Sequence, residues 1–189
     1  MQLNDTSSLV KGELTISGVS LMDSNVVAAI LQNYSKLKQD SYDRFEGDTW
    51  YLIQAFEDLA DTTLKDQPIL QRILEYKIDG KQNIEIQSLL KEEFGTTYTP
   101  EYLSAVWCKK IPKLIAEEAQ KDYVIWQTRL RKLPEKKCSK CGQNKPKHSL
   151  FFSKSNTSKD FFYSICKDCR KAKYAAGRSN TTQGSSSAQ

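Results

Sequence analysis

Four of the five cysteines and the only histidine fall in one stretch, "CSKCGQNKPKHSLFFSKSNTSKDFFYSICKDCRK", residues 138–171. Cys138 and Cys141 form one Cys-x-x-Cys pair, and Cys166 and Cys169 form a second after a gap of 24 residues. Four thiolates at this spacing are the ligand set of a closed, tetrahedral structural site, so one structural Zn2+ is expected. Two residues between ligands let a tight knuckle aim both sulfurs at one ion, and Gly142 suits the left-handed turn behind the first pair. The cations Lys137, Lys140, Lys145, Lys167, Arg170 and Lys171 favour thiolate over thiol. A disulfide staple and a redox dithiol are the competing chemistries. A thioredoxin-type dithiol needs a βαβ context, which the pattern here lacks. Four sulfurs fill the shell and leave no open position for water, so the ion is not expected to be catalytic. His148 is expected to be a surface or hairpin residue and Cys108 an ordinary helix residue. No P-loop, nucleophile elbow or HExxH motif is found, and no enzymatic activity or small-molecule substrate is expected.

The elements that must position these sulfurs are short. "HSLFFSKS" and "FFYSI" flank the polar turn "NTSKD" and predict a β-hairpin, with Phe151, Phe152, Phe161, Phe162 and Tyr163 as a miniature core. "CKDCRKAKYAAG" predicts a knuckle running into a short helix ended by Gly177. Knuckle, hairpin and helix in this order make a treble clef. So few apolar residues need the metal to fold.

The stretch resembles a zinc-binding module of bacteriophage proteins, found also beside the nuclease core of recombination endonuclease VII-like proteins. The residues that carry the resemblance are Cys138, Cys141, Gly142, Phe151, Phe152, Ser158, Lys159, Asp160, Cys166, Lys167, Cys169 and Arg170. It implies a metal module and no particular activity. The family's turn usually carries glycine after the aspartate, where this chain has Phe161. Nuclease chemistry on such a module needs several histidine, aspartate or asparagine groups around a catalytic metal, and the chain has one histidine.

Upstream, the pattern is helical. Val26, Val27, Ile30, Leu31, Tyr34 and Leu37 recur three and four residues apart and predict a first helix over 20–39. A second starts at Asp48 as N-cap and carries Trp50, Ile53, Phe56, Leu59, Ala60 and Leu64. A third starts at Pro68, and Asp79-Gly80 ends it. Asn83 can cap a fourth, with Ile86, Leu89, Leu90 and Phe94 inward and Gly95 closing it. Thr99-Pro100-Glu101 starts a fifth, with Leu103, Val106, Trp107, Ile111, Leu114 and Ile115 on one side. Pro112 should kink that helix or end it early. Helical pattern resumes up to Pro134. "GELTIS" alternates as a short strand would.

Helix, glycine-containing turn and helix over 83–115 have the composition of a helix-turn-helix. Glu101, Tyr102, Ser104, Ala105, Cys108, Lys109 and Lys110 would face outward, with Tyr102, Ser104, Lys109 and Lys110 as its nucleic-acid contacts. The span "ILQRILEYKIDGKQNIEIQSLLKEEFGTTYTPEYLSAVWCKKIPKLI" resembles the fourth region of bacterial sigma factors and related regulators, on Ile73-Leu74, Gly80, Glu85-Ile86, Leu90, Val106 and Lys109-Lys110. The turn "GTTYTP" is longer than in that family, and Pro112 interrupts the recognition helix.

The fold expected is mainly α, a helical bundle containing a helix-turn-helix, followed by a small C-terminal treble-clef zinc module. The domains expected are an N-terminal helical region over 1–67, the helix-turn-helix region with a long C-terminal helix over 68–134, the four-cysteine zinc module over 135–177 and a disordered tail over 178–189.

Charge sharpens the functional expectation. Residues 1–128 hold 13 Lys/Arg against 20 Asp/Glu, and residues 129–189 hold 15 against 3, so a net of −7 is joined to a net of +12. An acidic body with a basic end is the asymmetry expected when one end meets a polyanion. Lys137, Lys140, Lys145, Lys167, Arg170, Lys171 and Lys173 are the expected phosphate contacts. The partner expected is DNA, with RNA a second possibility, and RNA polymerase or another phage or host protein as a further partner. Two other readings share this sequence: a packaging or recombination accessory resembling a small terminase, and a protein adaptor with purely structural zinc. No apolar run approaches a membrane span and no signal peptide is read, so a cytoplasmic protein of a bacterial host cell is expected.

Overall fold

Apolar residues spaced three and four apart become helices wherever a cap or a proline can start them. The computed structural model describes residues 15–16, 19–43 and 47–179. It divides the chain into two units, residues 1–123 and 124–189. The fold is mainly helical, with small antiparallel hairpins and a cysteine cluster near the C-terminus.

The first unit opens with β1 (Thr15–Ile16) paired antiparallel to β2 (Val19–Ser20). The remainder of the strand expected in "GELTIS" lies outside the described residues. The apolar stripe expected as one helix is two, α1 (Ser24–Gln32) and α2 (Tyr34–Asp43). The break is at Asn33, whose φ is −111° and whose amide donates to the Ala29 carbonyl at 2.8 Å. An asparagine amide competes for backbone groups in this way, although the hydrophobic spacing runs on unbroken. α3 (Asp48–Leu64) is capped by Gly47, so Asp48 stands in the first turn, where its charge suits the helix dipole.

α4 (Pro68–Ile78) begins at its proline as expected. Arg72 ties it to α5 (Asn83–Phe94) through Glu93 at 2.8 Å. The cap of α5 is Gln82 instead of Asn83: the Glu85 carboxylate accepts the Gln82 N–H at 2.7 Å. Asn83 is thereby left to reach across the turn. Its Nδ2 donates to the Pro100 carbonyl at 3.0 Å and to Ser104 Oγ at 2.8 Å. Asn83 Oδ1 is buried without a partner. Asn83→Ala therefore removes two bonds and one unmet acceptor together, and the expected loss is about 1 kcal/mol, read as a lower urea midpoint at unchanged slope.

Gly95, at φ 66°, closes α5 in the left-handed conformation. α6 (Pro100–Ala105) starts under Thr99, whose Oγ1 accepts from the Tyr102 N–H at 3.2 Å. Pro112 does not end the helix. A π-helical segment, Val106–Lys110, precedes α7 (Ile111–Arg131), and the Ile111 N–H reaches the Val106 carbonyl. Widening the turn accommodates the approach to a residue that lacks an N–H and crowds the carbonyl four residues back. The core is one cluster that includes Val27, Phe56, Ile73, Ile86, Leu90, Leu103, Val106, Ile111 and Ile115, all buried. Leu89, Phe94, Trp107 and Leu114 are only half-buried.

In the second unit, β3 (Glu135–Lys137) pairs antiparallel with β4 (Asn144–Pro146), and β5 (Phe152–Lys154) pairs with β6 (Phe162–Cys166), which leads into α8 (Lys167–Ser179). The hairpin around "NTSKD" forms as expected, with Phe152 opposite Cys166. Gly177 does not end α8, which runs to Ser179. The core is smaller than expected. Phe151 and Phe152 are buried with Cys138 and Cys166, and Phe162 packs partly against them. Phe161 and Tyr163 are 68% and 48% exposed: Phe161 stands in the turn before β6, and the β5–β6 register is irregular between Phe152 and Lys154. Among the described residues no helix is long and apolar enough to cross a membrane. The tail beyond residue 179 lies outside the described residues.

Candidate metal centre

The first cysteine pair is delivered by the β3–β4 knuckle. The Gly142 N–H donates to the Cys138 carbonyl and the Cys138 N–H to the Gln143 carbonyl, both at 2.9 Å. Gly142 sits at φ 72°, which a side chain would resist. The second pair comes from the end of β6 and the first turn of α8, where Cys166 and Cys169 stand three residues apart. Backbone bonds hold the two halves together: Ser139 N–H to the Ser164 carbonyl at 2.9 Å and Lys167 N–H to the Phe151 carbonyl at 2.8 Å.

The sulfurs of Cys138, Cys141, Cys166 and Cys169 lie within 4.8 Å of one another, and Cys138 Sγ is 4.0 Å from Cys169 Sγ. A tetrahedral ion with metal–sulfur bonds of about 2.3 Å sets its sulfurs about 3.8 Å apart, whereas a disulfide needs about 2.05 Å. All four cysteines are free. The geometry therefore fits one metal ion held by four sulfurs and does not fit a disulfide.

Electrostatics favour the same outcome. Burial raises the Cys138 thiol, but N–H groups of Cys141, Cys166 and Lys140 outweigh it and bring it down to about 6. The Cys166 N–H reaches its sulfur at 3.3 Å. Cys169 is pushed up to about 12 by hydrogen bonding to Cys166, by burial and by its bonds to Cys141 and Cys138. Sulfurs this close cannot all carry charge unaided, and a divalent cation removes the conflict.

The predicted basic residues separate into two groups. Lys137, Lys140, Lys171 and Lys173 are exposed, while Lys145, Lys167 and Arg170 are half-buried. Lys145 pairs with Asp168 at 2.6 Å, and that carboxylate keeps its ammonium raised although burial lowers it. Lys145 thus serves to pin the knuckle to α8. Lys140 Nζ approaches the Cys169 carbonyl at 3.5 Å. Arg170 lies over the Tyr163 ring, 5.0 Å from its centroid. Lys136, which sequence reasoning missed, pairs with Asp160 at 2.5 Å and donates to the Phe162 carbonyl at 2.9 Å. It closes the hairpin turn and holds the Asp160 carboxyl below its usual range. A lysine and an aspartate 24 residues apart carry no local signal of such a pairing.

His148 is exposed and outside the sulfur cluster. Its Nδ1 accepts the Leu150 N–H at 3.2 Å, and its carbonyl accepts the N–H groups of Phe151 and Phe152 at 3.0 Å. It shapes the turn that enters β5.

In the first unit, Tyr102, Ser104, Lys109 and Lys110 are exposed together with Glu101, Ala105 and Cys108. Tyr102 stacks on Tyr98, with ring centroids 5.0 Å apart and planes 14° from parallel. These two rings and Lys110 line an open depression of about 230 Å³ together with Gln67, Pro68, Ile69 and Leu70. The Ser104 hydroxyl is already engaged by Asn83. No protein-family model, no curated protein and no solved structure matches the chain.

Proposed function

We propose that this chain is a non-catalytic nucleic-acid-binding protein of the phage transcription-regulator type. Its four-cysteine module holds one structural Zn2+ in a treble-clef arrangement and clamps the phosphate backbone. The α5–α6 pair acts as a helix-turn-helix. Four thiolates in a tetrahedral cluster suit Zn2+, and a filled shell confines the ion to joining the knuckle to α8.

The observation that carries the reading is the fate of the acids around the module. Residues 129–189 contain only Glu135, Asp160 and Asp168 against 15 basic residues, and the two aspartates are each taken up by a lysine. The surface is left with Lys137, Lys140, Lys171 and Lys173 facing solvent. Long exposed cations at this density are what phosphate contact requires, and such contacts position a protein without reading sequence. Sequence preference falls to Tyr102, Ser104, Lys109 and Lys110; Ser104 Oγ accepts from Asn83 and keeps its own O–H to donate.

The test is binding of the full-length, metal-loaded protein to a labelled duplex at about 50 mM salt. Lys137→Glu, Lys140→Glu and Lys171→Glu together should weaken binding uniformly across sequences and lower the salt slope by about 3, one for each lysine. Lys109→Glu with Lys110→Glu should instead reduce discrimination between a selected site and random DNA. A metal-loaded protein that binds no duplex and no single strand under these conditions refutes the proposal.

A further inference from the structure

Phe161 stands where a glycine belongs. Its φ is 62°, a left-handed conformation in which a bulky side chain is strained. The turn enforces it from both sides: the Phe161 N–H donates to the Ser158 carbonyl at 3.0 Å, and its own carbonyl accepts the Ser155 N–H at 2.9 Å. The ring gains little from packing, since the residue is 68% exposed. Strain held in a turn to carry an aromatic ring into solvent is a cost with no structural return. Such outliers point to function.

The surroundings name the ligand. Tyr163, two residues along, also turns away from the Phe151–Phe152 core. Arg170 lies over its ring and thereby joins β6 to a stripe of α8. That stripe runs Lys167, Arg170, Lys171, Tyr174 at helical spacing, and Tyr174 is 65% exposed. Rings and cations therefore alternate on one basic unit. An apolar partner has no use for the cations, and a duplex hides the faces of its bases from the rings.

We infer that this surface takes unpaired bases: Phe161, Tyr163 and Tyr174 stack on a single strand of nucleic acid while Lys167, Arg170 and Lys171 hold its phosphates. This rests on the proposed function and specifies its substrate class. Aromatic stacking is sequence-tolerant because every base has a π-face, and cationic grooves follow the backbone alongside.

The experiment compares the full-length, metal-loaded protein on oligo-dU and oligo-U of about 15 nucleotides and on a duplex of equal length. Both single strands should bind about tenfold tighter than the duplex, and the tighter of the two identifies the sugar that is preferred. Phe161→Gly and Tyr163→Leu should each weaken single-strand binding about tenfold and leave duplex binding unchanged. Phe161→Gly should also unfold at an equal or higher denaturant concentration, because glycine adopts this φ freely. That separates the loss of binding from any loss of fold. Single-strand affinities unchanged in both variants overturn the stacking surface and leave the phosphate clamp standing. No binding to any of the three probes overturns both.

Discussion

Stripping the metal with a high-affinity chelator will unfold residues 135–169 and leave the helices before Tyr123 folded. The two units have very different internal resources. The first buries a hydrophobic cluster that runs from Leu21 to Ala119. Among the described residues, the apolar cluster of the second fully buries Phe151 and Phe152 beside Cys138 and Cys166, with Val124, Ile125, Leu150, Phe162 and Ile165 partly buried against them. Two phenylalanines supply roughly 3–6 kcal/mol of burial, whereas a structural Zn2+ supplies about 10–16 kcal/mol at neutral pH. An ion held by the four sulfurs would be the largest single contribution to order in that unit. Limited trypsin digestion with metal content measured in parallel reads the result: cleavage at Lys140, Lys147 and Lys154 in the chelated protein, protection in the loaded one. Cys138→Ser and Cys166→Ser should mimic chelation more completely than Cys141→Ser, since the first two sulfurs belong to buried residues and the third to an exposed one. A chelated protein equally protease-resistant beyond Pro134 would dismiss a metal-dependent fold.

Raising the salt from about 50 to 200 mM should weaken duplex binding about 500-fold. The figure follows from five phosphates neutralised, a slope of about −4.5 in log K against log salt, and a fourfold change in concentration. Lys137, Lys140, Lys171 and Lys173 are exposed, and half-buried Lys167 is a fifth candidate from the same unit. Lys136 and Lys145 are left out because their ammonium groups already hold Asp160 and Asp168. Fluorescence anisotropy at four salt concentrations gives the slope directly. A flat response removes the phosphate clamp, whatever the affinity at low salt. Both predictions are linked, since metal-free protein should lose the steep slope along with its folded second unit.

Much of this arrangement is legible in the sequence where one residue decides the local backbone. Pro68 and Pro100 start their helices, Gly95 closes α5, and Thr99 caps α6. The Cys-x-x-Cys spacing likewise announces a cluster, and the cluster is there. What escapes is whatever depends on a distant partner. Asn83 reads as a cap because its side chain is suited to one, yet its bonds go to Pro100 and Ser104, 17 and 21 residues away. The break at Asn33 is invisible to periodicity because Leu31 and Tyr34 keep helical spacing across it. β3 and β4 read "EKK" and "NKP", with no apolar alternation to mark a strand; the hairpin follows from the knuckle between them. Tyr163 reads as core by residue type, yet it is exposed in a hairpin whose register is irregular.

The wide turn at Val106–Lys110 also settles where one charge ends up. Counting from Leu103 and Val106 in steps of an uninterrupted α-helix, the next inward position is 110, a lysine. Among the described residues the next buried position is Ile111, with Ile115 and Ala119 after it, and Lys110 lies exposed. The segment therefore acts as a one-residue phase shift. Remove a single residue there, and a regular spiral could carry Ile111 into step with Val106 unaided; retain it, and a cation is released from the hydrophobic seam to the outside.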